Sequence, residues 1–181
     1  MKYYEGIDFA MADVQYGSRN RKRNYPFYCG LQLVDSGEIA LSVDHGREIR
    51  RKGPVAFLTS PEHYYEYSSP GIEPRDHYWV CFHGPKIRQY REEELFRMDP
   101  EEPFFRLRRP EEFREKMKEL IALVQGGREH DRAVCLLECL LFTLQADAEL
   151  SRIPMDYYAD RFAGLAARIA AAPEKEWKFE E

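Results

Sequence analysis

The first half of the chain is cut by turn signals at intervals of about ten residues, and that spacing constrains the fold more than any other feature. Asp35-Ser36-Gly37, His45-Gly46, Gly53-Pro54, Pro61-Glu62, and Pro70-Gly71 with Pro74 mark the cuts. Between them lie Tyr25–Val34, Glu38–Asp44, Glu48–Arg51, Val55–Thr59, His63–Ser68 and Arg75–His83, which read as short strands. Glu38–Asp44 alternates most cleanly, with Ile39, Leu41 and Val43 on one face. Runs this short leave no room for the helices of βαβ units, so the spacing predicts a sandwich or small barrel.

After about residue 85 charged residues thicken and helical spacing appears. From Pro110, the residues Phe113, Met117, Leu120 and Val124 step by 4, 3 and 4, and Gly126-Gly127 supplies a stop. The next stripe, Val134, Leu137, Leu141, Leu144 and Ala148, keeps an a/d spacing over two heptads. Leu136, Leu140 and Phe142 lie outside that seam, so the apolar surface is wide enough for one face to pack on the domain and another to meet a partner. Val134, Leu137, Leu141 and Leu144 are therefore the candidate interface of a two-fold homodimer; burial of both faces within one chain is the alternative. Ser151–Pro154 breaks this helix, and Tyr158, Phe162, Leu165, Ile169 and Ala172 form a third stripe before Pro173. The closing Glu174–Glu181 reads as the start of a further helix.

Several function classes are disfavoured. The net charge of −5 does not suit a chain that grips nucleic acid by itself; the basic cluster Arg19, Arg21, Lys22, Arg23 reads as a solvated arm. Cys29, Cys81, Cys135 and Cys139 show no CxxC spacing, so buried free thiols in a reducing cytoplasm are expected. MKYYEGIDF has no apolar leader core, and no run approaches the ~18 apolar residues of a membrane span. The histidines His45, His63, His77, His83 and His130 include no pair at i and i+2, so neither a metal nor another cofactor is expected. No G-x-S-x-G and no phosphate-binding glycine loop occurs, and nothing proposes a reaction.

What stands out is an aromatic and polar alternation. Arg75, His77, Trp79 and Cys81 share one face of their strand, while Asp76, Tyr78, Val80 and Phe82 share the other. His63, Tyr65 and Tyr67 likewise share a face. Such faces fit the wall of a small polar-ligand pocket, where aromatics stack and His or Arg holds hydroxyl groups. An amphipathic outer face is the alternative, because both faces of Arg75–His83 carry large aromatics.

Gly37–Asp44, the turn at Gly46, the Gly53 break, Pro61-Glu62-His63 and above all Tyr78-Trp79-Val80-Cys81-Phe82-His83-Gly84 resemble the effector-binding domain of AraC/XylS-family transcription regulators. The resemblance runs from about Arg21 to Glu181. It departs at Gly53-Pro54, where the family usually has Gly-Asp. It implies a mainly β fold with added helices: a cupin-like jelly-roll barrel, an antiparallel helix pair and a further C-terminal helix. The implied division is an arm over residues 1–20, a barrel over 21–105, a helical dimerisation subdomain over 106–150, and over 151–181 a linker with the first helix of a DNA-binding domain. It further implies a pocket closed by the arm, with Arg21, Tyr65, His77 and Trp79 on the ligand. A cytoplasmic, non-enzymatic homodimer sensing a small polar effector such as a monosaccharide follows, reaching DNA only through a domain beyond this chain. The rivals are a metal-dependent cupin isomerase or dioxygenase and a ligand-free dimerisation scaffold.

Overall fold

Among the described residues, the first eight strands pair by a single rule. A computed structural model describes residues 4–24, 26–152 and 168. The chain divides into one compact unit over Met1–Ala148 and a second over Glu149–Glu181. The strands are β1 (Asp8–Ser18), β2 (Lys22–Asn24), β3 (Cys29–Ser36), β4 (Glu38–Val43), β5 (Ile49–Lys52), β6 (Val55–Thr59), β7 (Tyr65–Ser68), β8 (Arg75–His83) and β9 (Phe104–Arg106). The helices are α1 (Lys86–Glu92), α2 (Pro110–Gly126) and α3 (His130–Arg152). β1 pairs with β8, β2 with β7, β3 with β6 and β4 with β5, all antiparallel. The first eight strands thus form one long ribbon doubled back at the β4–β5 hairpin. Rolling that ribbon joins β3 to β8 and β4 to β7, giving sheets of order β1-β8-β3-β6-β9 and β2-β7-β4-β5.

The hairpin at which the ribbon doubles back is a type I′ turn. Asp44 and His45 both take positive φ, at 50° and 59°, and the Gly46 N–H donates to the Val43 carbonyl at 2.8 Å. Asp44 tolerates this because its carboxylate accepts the Tyr64 N–H at 2.8 Å and meets His63 Nδ1 at 2.6 Å. At the other end of the ribbon, Gly84 has φ 130°, and a Cβ there would collide with the Gly6 carbonyl.

Two apolar layers result. Val34, Val55, Phe57 and Phe104 from the larger sheet meet Ile39, Leu41, Val43, Ile49 and Tyr65 from the smaller one. Leu31, Leu33, Ala56, Leu58, Tyr78, Val80 and Phe82 cover the larger sheet's other face, against Phe113, Met117 and Leu120 of α2 and the buried row of α3. α2 begins at Pro110 and stops at a left-handed Gly127, whose N–H caps the Leu123 carbonyl at 3.2 Å. A buried ion pair, Lys86 Nζ to Glu138 Oε1 at 2.6 Å, joined by the Tyr90 hydroxyl at 2.7 Å, ties α1 to α3.

Three expectations need correction. Residues 8–18 are not a separate arm: β1 runs antiparallel to β8 from Asp8↔His83 to Ser18↔Arg75. Its period is hard to read because it is an edge strand in which only Ala12 and Ser18 are fully buried. The seam Val134, Leu137, Leu141 and Leu144 is fully buried in its own chain, at 0% exposure, and cannot be the face a second copy meets. A helix that packs on a sheet needs an apolar stripe at least about 100° wide, and these residues form its centre, flanked by Leu136 and Leu140. Cys135 and Cys139 are exposed, not buried; Cys29 is buried and Cys81 half-buried. The stripe Tyr158–Ala172 lies outside the described residues.

Candidate ligand-binding site

β8 has a covered surface on both sides, which explains why its two faces both carry large aromatics. Tyr78, Val80 and Phe82 turn toward the helices. Arg75, His77, Trp79 and Cys81 have the opposite parity and turn toward the smaller sheet. The His77 ring lies among Phe57, Tyr67 and Trp79, with centroids 5.9, 5.7 and 5.7 Å away. Across the strands, Gln32 pairs with Trp79, and Gly30 with Cys81 and Thr59. A Cβ on Gly30 would stand 2.5 Å from Thr59 Oγ1 and 2.7 Å from Gln32 Nε2, so the glycine makes room for two buried polar side chains.

His77 is 4% exposed, and its Nε2 has no hydrogen-bond partner among the described residues. Burial first, and then the nearby Arg75 charge, push its pKa down to about 3, so the ring is neutral at physiological pH. A neutral imidazole offers one donor and one acceptor, which suits a hydroxyl group. Tyr67 is pushed up to about 12 by burial and stays a phenol. Buried polar atoms in native proteins are nearly always paired, so the lone Nε2 marks the place where a partner belongs.

Of the four sequence-predicted ligand contacts, His77 and Trp79 share this inter-sheet face, with Trp79 half-buried. Tyr65 also faces inward and is fully buried, but its hydroxyl oxygen already accepts the Ser60 N–H at 3.1 Å. Arg21 is elsewhere. Its side chain is 62% exposed and pairs at 3.5 Å with Glu66, which has the opposite parity to Tyr65 and Tyr67 and lies on the outer face of β7. Arg21 is therefore not placed to reach the interior. Sequence reasoning passed over Arg75, Tyr67 and Gln32. The first two were already face-mates of the chosen residues; Gln32 lies in a strand buried on both faces, whose apolar run hides its parity.

No group of three or more His, Cys, Asp or Glu side chains that could hold a metal ion occurs among the described residues. No described helix is long and apolar enough to cross a membrane. No protein-family model matches the chain, and no curated protein does. Among solved structures, the Schizosaccharomyces pombe Cnp3 cupin domain is similar to it at 12% identity, over 51% of this chain and 66% of that chain, with a TM-score of 0.32. So low a score does not establish a shared fold, and the architecture stands on the strand pairing described above: two antiparallel sheets with three helices among the described residues.

Proposed function

We propose that this chain is the ligand-sensing and dimerisation module of an AraC-type transcription regulator, a cytoplasmic protein without enzymatic activity. Its sheets are read as a cupin-like jelly roll, because a doubled ribbon rolled into two facing sheets is the construction of that fold. The observation that carries the function is the buried, unpartnered Nε2 of His77, set among the rings of Tyr67, Trp79 and Phe57 between the sheets. A small polar effector, a monosaccharide first among candidates, would stack on Trp79 and bond His77. To act as a signal it must favour one arrangement of the chain over another, since equal affinity for both shifts nothing. DNA would be bound by a domain outside this chain.

Titration calorimetry of the wild type and Trp79→Ala against a monosaccharide panel tests the site. Binding that weakens roughly 5-fold or more in the variant supports stacking, given about 1–3 kcal/mol for a flat ring stacked on an aromatic side chain, as measured for nucleobases. Equal heats for both proteins would overturn it. A ligand-free scaffold is the second reading, favoured by the Tyr65 hydroxyl being committed to Ser60; absence of heat throughout supports that one. For the homodimer, the surface moves to the outer side of α3, where Phe142 is 68% exposed.

A further inference from the structure

The inner face of β8 carries a full positive charge that its surroundings do not balance. Arg75 is 1% exposed, among the most deeply buried side chains of the described residues. Its contacts are neutral: Ser69 Oγ, the Asn20 carbonyl oxygen at 3.1 Å, and the Tyr67 ring, whose centroid lies 5.9 Å from the guanidinium carbon. Its Nε has no hydrogen-bond partner among the described residues.

The carboxylates of the neighbouring strands are turned away or engaged. Asp76 has the opposite parity in β8 and accepts the Gly17 N–H at 2.9 Å. Glu66 faces outward and pairs with Arg21 and Arg23. Asp35 holds Arg114 at 3.1 Å. Asp13, in register with Trp79, is exposed and accepts the Val14 N–H at 2.8 Å. Lys22 pairs across the strands with Tyr67 but is exposed to solvent, so Arg75 is the buried cation of this face among the described residues. A buried guanidinium without a counter-charge is costly, and an anion reaching its open Nε–H edge would offset that cost.

We infer that the ligand of the inter-sheet site carries a single carboxylate, as a sugar acid or similar small hydroxy acid does, held by Arg75 with its hydroxyl groups on His77. The inference rests on the site proposed above and concerns the charge of its ligand. Nε–H and a neighbouring Nη–H form one edge of the guanidinium fork, which matches the two oxygens of a carboxylate. One buried positive charge balances one carboxylate, whereas a phosphate ester brings close to two negative charges. The neutral His77 beside it adds no further cation and remains free to bond a hydroxyl.

The test is titration calorimetry at fixed ionic strength on the whole chain, with D-galactose against D-galacturonate, D-glucose against D-glucuronate, and D-glucose 6-phosphate. The uronates are expected to bind roughly 10- to 100-fold tighter than the parent sugars, the range of one charge-assisted hydrogen bond. Arg75→Met should erase that difference and Arg75→Lys should keep part of it, with thermal melts confirming that each variant is folded. Wild-type selectivity stands as a test even where a variant fails to fold. A neutral sugar bound as tightly as its acid, or a preference for the phosphate ester, overturns the inference and leaves the site. No heat from any of the compounds overturns the site and the inference with it.

Discussion

His77 concentrates the residue-scale chemistry. Its neutral state in the folded chain, with a pKa of about 3 against an ordinary value of 6.5, couples folding to pH. Below 6.5 the unfolded chain takes up a proton that the folded chain refuses. Stability therefore falls as pH falls from 6.5 toward 3, by about 1.4 kcal/mol per pH unit from this group. His77→Phe removes the titrating group, so its stability should decline less than wild type between about pH 7 and about pH 4.5. Urea unfolding at both pH values checks this, and parallel declines would show that His77 is not buried as described. His77 and Trp79 were legible in the sequence because two-residue alternation puts them on one face and their chemistry is unusual for a dry core. Arg75 was not picked out, although it shares that parity, because burial of a charge is a property of what lies across the sheet.

α3 shows where helical periodicity informs and where it stops. The steps from Val134 to Leu144 locate the apolar row correctly, but spacing is the same whether the row meets a second chain or its own sheet. Since the row lies in the core, Leu141→Ala should cost about 2–5 kcal/mol in urea unfolding. Leu137→Asp should abolish cooperative unfolding instead of yielding a folded monomer. Phe142→Glu, on the exposed side, is expected to change stability by no more than about 0.5 kcal/mol. If dimerisation uses that side, Phe142→Glu alone lowers the mass in sedimentation velocity; an unchanged dimer mass would exclude it. α2, by contrast, was legible at both ends, from Pro110 to the stop at Gly127, because caps are local chemistry.

At the scale of the whole molecule, β1 closes the ribbon by pairing along β8, the strand that carries the candidate site. Removing residues 1–18 would leave the β8 edge unpaired, and the truncated chain is expected to aggregate or melt at markedly lower temperature. A truncated chain that stays monodisperse with an unchanged Tm would show that β1 contributes little. The sequence by itself determined the turn positions, most strand segments and two helices, because backbone conformation at Gly, Pro and Asp and the two periodicities are set within a few residues. The tertiary structure alone decided that β1 is a strand of the sheet, that the α3 seam is core, that Arg21 lies outside, and that Arg75 lies inside beside His77. Each of those depends on pairing between segments distant in the chain, and alternation assigns residues to a common face without saying what that face will meet.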